Sequence, residues 1–129
     1  MIYQRTLAKD VQVTGIGLHS GRKVTMKLHP ADADTGIVFV RTDIKGAKPN
    51  RATATSVGTT ENATTLGEGY EAIHTVEHLL GTLYGMGINN CFIEIDGPEV
   101  PIMDGSGASF VFLLKEAGIK NNKVEFLSI

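Results

Sequence analysis

The sequence predicts an α+β domain of two layers, a mostly antiparallel sheet with two helices on one face. Three observations point there. Val24, Met26 and Leu28 alternate with Thr25 and Lys27, the period-two pattern of a half-buried strand. Two segments stopped by glycine, Ile73 to Met86 before Gly87 and Ser109 to Ala117 before Gly118, read as helices. Strands and helices follow one another without regular alternation, which favours α+β over a repeated strand–helix unit.

Taken in order, Val11-Gln12-Val13 is a strand leading into the turn Gly15-Ile16-Gly17, and His19-Ser20-Gly21 makes another turn. The alternating strand ends at Pro30. A loop, Ala31 to Gly36, returns the chain into Ile37-Val38-Phe39-Val40, read as its hairpin partner. Residues 44–52 are polar and carry Lys, Gly and Pro, so they form a loop. Thr53 to Leu66 is rich in Thr and Ala and reads as short strands broken at Gly58 and Asn62. Asn90 to Asp96 is a strand with Glu94 and Asp96 on its wet face. Asp104-Gly105-Ser106 has the chemistry of an Asx turn ahead of the second helix. Lys123 to Ile129 is a last strand.

The 129 residues suit one domain with a core of its own, without disulfide or metal staples. Hydrophobic residues at 42% and charged residues at 20% describe an ordinary globular chain. A net charge of −2 gives no reason to expect nucleic acid or an anionic membrane surface as partner. Cys91, the one cysteine, lies in an apolar run and suits a reducing compartment. Residues 1–20 lack a signal-peptide core, and no apolar run is long enough to span a membrane. These features predict a cytoplasmic protein with no stable membrane insertion.

The densest chemistry is His74-Thr75-Val76-Glu77-His78. On a helix, two histidines four apart are neighbours, and an intervening glutamate can work on a metal-activated water. Read literally this is H-x-x-E-H, the pattern of inverted zinc metalloproteases. A zinc site needs three protein ligands. A protease would have to draw its third from scattered acids such as Glu94, Asp96, Glu99 or Asp104. Helical spacing places Ile73, Val76, Leu80, Leu83 and Gly87 toward the sheet and His74, His78, Gly81 and Gly85 away from it, with Glu77 between. Two glycines on one helical face fit close packing by something outside the helix.

Four segments together resemble the zinc-dependent deacetylase family of lipid A biosynthesis, which acts on UDP-3-O-acyl-N-acetylglucosamine. They are Gln4-Arg5-Thr6-Leu7 with Gly15-Ile16-Gly17-Leu18-His19-Ser20-Gly21, then Thr75-Val76-Glu77-His78-Leu79-Leu80, then Gly87-Ile88-Asn89-Asn90, and last Glu99-Val100-Pro101-Ile102-Met103-Asp104-Gly105-Ser106. The resemblance implies a duplicated fold of two similar domains with the active site between them. Residues 1–129 are then the N-terminal domain, and the C-terminal domain is absent. It implies Zn2+ as cofactor, with His78 as the metal ligand from this half and Glu77 as the catalytic general base. Leu18 and His19 fall near the substrate-binding cleft, and the remaining ligands belong to the second half. Two positions depart from the pattern: His74 is no expected ligand, and Thr60-Glu61-Asn62-Ala63 stands where some members carry apolar and sulfur-bearing residues.

The implied partners are the UDP-linked acylated glucosamine substrate and the missing C-terminal half. The run Phe110-Val111-Phe112-Leu113-Leu114 is apolar most of the way round a helix, so the isolated chain is expected to self-associate. Two other readings remain open at this point: a non-catalytic single-domain relative that binds a nucleotide sugar or a protein, and the small metalloprotease.

Overall fold

In the computed structural model, which describes residues 3–52, 57–59, 64–102 and 108–125, the alternating segment folds as its pattern predicts. Val24, Met26 and Leu28 are fully buried while Lys23 and Lys27 stay exposed. Each such side chain taken out of water contributes roughly 1.5–3 kcal/mol. In chain order the strands are β1 (Tyr3–Leu7), β2 (Val11–Ile16), β3 (Lys23–Pro30), β4 (Ile37–Arg41), β5 (Asn50–Arg51), β6 (Val57–Thr59), β7 (Thr64–Leu66), β8 (Ile73–His74), β9 (Cys91–Ile95) and β10 (Ile119–Glu125). Helix α1 (Glu77–Gly85) lies between β8 and β9, and α2 (Ala108–Ala117) precedes β10.

The main sheet has the order β2-β3-β9-β4-β5. Its inner face, with Val24, Met26, Leu28, Phe39, Ile93 and Ile95, shares one core with Leu79, Leu80 and Leu83 of α1 and Leu113 and Leu114 of α2. The helices touch each other and form the second layer. A two-stranded sheet, β1-β10, and a three-stranded one, β6-β7-β8, complete the α+β fold. Isolated parallel bridges join Thr6 to Asn90 and His74 to Glu99. Among the described residues the named strands pair antiparallel except β4 with β9.

That exception corrects the expected hairpin. Ile37 to Val40 does not pair with β3, because β9 inserts between the two, antiparallel to β3 and parallel to β4. Asn90 fixes the insertion: its Oδ1 accepts from the Gly36 amide at 2.9 Å, and the Cys91 amide donates to the Gly36 carbonyl at 3.0 Å. Asn90 Nδ2 donates to Gln4 and Asn122, each at 2.9 Å, tying β9 to β1 and β10 as well.

Further elements differ from the reading of the sequence. Asn50 and Arg51, at the end of the expected loop, pair with β4 as β5, and β6 runs through Gly58, which pairs with Thr65 instead of breaking the strand. The first helix starts at Glu77 and not at Ile73, because residues 73–74 are spent on sheet pairing with β7 and with the Pro98–Val100 segment. The last strand starts at Ile119, directly after Gly118, where it can pair with Leu7 of β1; residues 126–129 lie outside the described residues. The glycine stops hold. After α1 the Gly87 amide donates to the Tyr84 carbonyl and the Ile88 amide to the Leu83 carbonyl, a Schellman closure with Gly87 at φ 75°. Leu83 and Ile88, both fully buried, supply its apolar contact. The Thr60–Ala63 departure and the Asp104–Ser106 turn also fall outside the described residues.

Candidate functional site

The glycine-rich turn after β2 is shaped by the segment crossing it. The Ile102 amide donates to the Ile16 carbonyl at 2.9 Å. A Cβ on Gly15 would lie 2.5 Å from the Ile102 carbonyl oxygen, and one on Gly17 would lie 2.5 Å from Glu99 Oε1. Only glycine admits so close an approach at these two positions.

Glu99 is 1% exposed and its carboxylate gathers donors from two directions. The His19 amide reaches both oxygens, at 3.0 and 3.1 Å, and the Ser20 amide reaches Oε1 at 3.0 Å. From the other side the Thr75 hydroxyl donates to Oε2 at 3.0 Å. Burial pushes the Glu99 carboxyl up, but the amides of Ser20 and His19 and the hydroxyls of Thr75 and Ser20 outweigh it and hold it below the ordinary carboxylate value. The buried charge is satisfied by fixed donors.

Thr75 carries the geometry onward. Its φ of 63° is a left-handed conformation that a β-branched residue rarely adopts. The turn ends β8 and starts α1 two residues later. The chain leading into it is fixed too: buried Arg41 donates to the carbonyls of Tyr70 (3.1 Å) and Ala72 (2.9 Å) while its fork holds Asp43 at 2.8 and 2.7 Å. The hydrogen bonds from Arg41 hold the Asp43 carboxyl below its usual range.

Glu77 and His78 open α1, Glu77 half-buried and His78 exposed. Val76, Leu79, Leu80 and Leu83 turn into the core, so Leu79 joins the stripe that the spacing predicted. Gly81 and Gly85 point away from the core, and a Cβ on either would meet nothing within 4 Å. His74 does not share this helix. It sits on β8 with Nδ1 2.9 Å from Thr65 Oγ1, so the two histidines of H-x-x-E-H do not occupy consecutive helical turns. The geometry that the protease motif requires is therefore missing. Leu18, 62% exposed, and His19 ride on the turn that Glu99 clamps.

In the sequence Glu99 stands among several scattered acids and opens the last segment of the family resemblance, with no role of its own. Its oxygens are already occupied, which removes it as a spare metal ligand. Its sequence setting is an acid between Pro98 and Val100-Pro101; in the fold Gly17 leaves room for its carboxylate, while Gly15 leaves room for Ile102. Cys91 is no ligand either, since burial pushes its thiol up to about 12 and suppresses the thiolate. Among the described residues no three His, Cys, Asp or Glu side chains gather as a metal site. Glu77 and His78 fit part of a zinc site, one carboxylate and one imidazole, short of the three ligands needed.

A second group of histidine and carboxylates lies on the outer face of the main sheet. His29 Nε2 is 2.7 Å from Glu94 Oε1, and Nδ1 is 3.1 Å from Asp10 Oδ1. Burial lowers the imidazole's value, but the bonds to Glu94 and Asp10 outweigh it and leave it raised. An open recess of about 810 Å3 borders His29 and Asn122. The polar atoms of both are engaged in hydrogen bonds within the chain.

The family model described as UDP-3-O-acyl N-acetylglycosamine deacetylase matches residues 4–129. The UDP-3-O-acyl-N-acetylglucosamine deacetylase of Marinobacter nauticus is 52% identical over 123 residues, 95% of this chain and 40% of that protein. Its namesake in Geobacter sp. is 50% identical over 120 residues, 93% of this chain and 39% of the relative. That of Hahella chejuensis is 53% identical over 119 residues, with 92% and 39% covered. The chain spans about two fifths of the length of these curated relatives.

Proposed function

The chain belongs to the UDP-3-O-acyl N-acetylglycosamine deacetylase family, and from that premise we propose that it is the amino-terminal part of a zinc-dependent enzyme of lipid A biosynthesis. The reaction removes the N-acetyl group of UDP-3-O-acyl-N-acetylglucosamine in the cytoplasm. One observation carries the reading. Three segments far apart in sequence, Gly15–Gly21, Thr75–His78 and Glu99–Ile102, converge on the Glu99 carboxylate. That convergence supports a site that Leu18 and His19 share with Glu77 and His78.

In this reading His78 contributes one ligand, and its exposure leaves the imidazole free to meet donors from outside the chain. Zinc held there supplies Lewis-acid polarisation of the acetyl carbonyl and activation of water. Glu77, in the first turn, takes the proton of the attacking water and returns it to the departing amine. Leu18 and His19 border the substrate. The open face at Gly81 and Gly85 receives the helices of a second domain. No helix among the described residues is long and apolar enough to cross a membrane. Phe112, 66% exposed, and Tyr84, 53% exposed, make self-association the expected behaviour of the chain alone. The net charge of −2 gives no reason to expect nucleic acid as a partner.

The test joins this chain to the remaining portion of the Marinobacter nauticus relative and measures acetate release from the UDP-linked substrate. The joined protein should turn over, and Glu77→Gln should lower kcat by roughly 100-fold or more. His78→Ala should lose bound zinc while His74→Ala keeps it. Equal metal loss in the two histidine variants, or full activity without Glu77, would overturn the assignment. The 129-residue chain alone should show no turnover.

A further inference from the structure

The carboxylate of Glu99 is buried, charged and fully engaged, yet its donors are not a strand or a helix end that needs closing. They are the amides of a surface turn and the hydroxyl of a single strained residue. Thr75 stands at φ 63° immediately before the helix that begins at Glu77. Nothing in a threonine favours that conformation, so the fold around it must hold it there. The residues before it are fixed by sheet bonds, the His74 amide to Pro98 and the Val100 amide to His74. For the Thr75 side chain the hydrogen bond to Glu99 is the anchor. Val76, the residue capping α1, contributes no side-chain hydrogen bond, so the helix start is not fixed by an ordinary cap.

We propose that Glu99 is a positioning residue for the deacetylation, setting the direction of the first turn of α1, and so of Glu77 and His78, through its bond to the Thr75 hydroxyl. The same carboxylate holds the His19 and Ser20 amides, so one anion fixes the spacing between the helix start and the glycine-rich turn. This rests on the deacetylase reading for its kinetic consequence. Its structural part stands on the chain alone. Glu99 touches no reacting atom in this scheme and acts through Thr75 and through the turn, whose His19 imidazole stands 4.0 Å from the carboxylate.

The experiment has two arms. In the joined enzyme, Glu99→Gln keeps the shape but removes the charge and replaces one acceptor oxygen with an NH2 group. The Thr75 hydroxyl can then no longer donate to a carboxylate and must turn to accept, with the charge-assisted bond lost. We expect kcat to fall on the order of 10- to 100-fold, the scale of a misaimed catalytic group, with zinc content retained. Thr75→Val, which removes only the hydroxyl partner, should reproduce much of the loss and reads the same link if the Glu99 variant folds poorly. Thr75→Ser should stay near wild type. Adding Thr75→Gly to Glu99→Gln should recover a large part of kcat, because glycine takes a positive φ without an anchor. A merely structural Glu99 would lower thermal stability, leave kcat within about twofold, and show no such rescue; that result overturns the proposal. In the second arm, backbone NMR of the joined protein compares wild type with Glu99→Gln. Resonances of Thr75, Glu77 and His78 should move together, and unchanged resonances would overturn the proposal even where the joined wild-type enzyme fails to turn over. Failure of that wild type, in contrast, sinks the deacetylase reading itself.

Discussion

Glu99 and the His29 cluster use the same kinds of side chain to opposite ends. At Glu99 a carboxylate is withdrawn from water and met chiefly by backbone amides, with the Thr75 hydroxyl on its other side and the His19 imidazole 4.0 Å away. At His29 the partners are side chains, and Asp10 is 70% exposed, so water and salt compete for every contact. The first arrangement is costly to form and costly to break, because the carboxylate itself is buried and removing it leaves the part-buried amides of His19 and Ser20 and the Thr75 hydroxyl without their acceptor. The second is a screened surface interaction. What distinguishes an anchor from an ornament here is who supplies the donors.

The comparison can be broken at several points. The largest effect should come from Glu99→Ala, which strands the His19 and Ser20 amides and should cost about 2–4 kcal/mol in chemical denaturation. A loss no larger than that of His29→Ala would end the contrast. Gly17→Ala should follow at about 1–3 kcal/mol, since its methyl must displace Glu99 Oε1; a neutral result would mean that the clamp is slack.

Acid should separate the two sites by sign. The Glu99 carboxyl is lower in the folded chain than in the unfolded one, so its stabilisation is present above the unfolded carboxylate value. It is lost as pH falls through the folded value, and Glu99→Gln should flatten that limb of the stability curve. His29 runs the other way. Its value is raised on folding, so its contribution is complete below about 6.5, the ordinary histidine value, and fades as pH rises through the raised one. The size should be under about 1 kcal/mol, reduced further by salt. Stability of His29→Gln measured from pH 5 to 9 should lose this slope; a slope unchanged from wild type would remove His29 from the account.

Much of the scaffold was legible because it is written in local patterns. β3 shows its core face by alternation, and Gly87 and Gly118 end the helices by the positive φ that each supplies. The partner of β4 was not legible. Its apolar alternation fits β3 or β9 equally well, and the choice depends on Asn90 reaching the Gly36 amide across the fold. The false helical turn at Ile73 has a similar cause. The apolar spacing runs straight through Thr75, and no propensity announces that a distant glutamate will hold that threonine left-handed. In the candidate site, Glu77 and His78 stood out by residue type. Glu99 did not, since a single acid declares its burial only once the chain around it is folded.

The insertion of β9 also has a consequence for how the chain is born. The β2–β3 hairpin is local and can form as soon as Pro30 clears the ribosome, and β4 can pair with β5, but β3's other edge and the second edge of β4 then wait for residues 91–95. Until those emerge, a nascent chain carries two unsatisfied strand edges flanked by Met26, Leu28, Ile37 and Phe39, the surface that chaperones and neighbouring chains capture. Folding speed should therefore depend on how fast β9 is captured, a closure of high contact order. Ile93→Val should slow refolding in a stopped-flow experiment. An effect confined to the unfolding limb would show that β9 docks only after the barrier, leaving the newly made sheet unguarded for longer still.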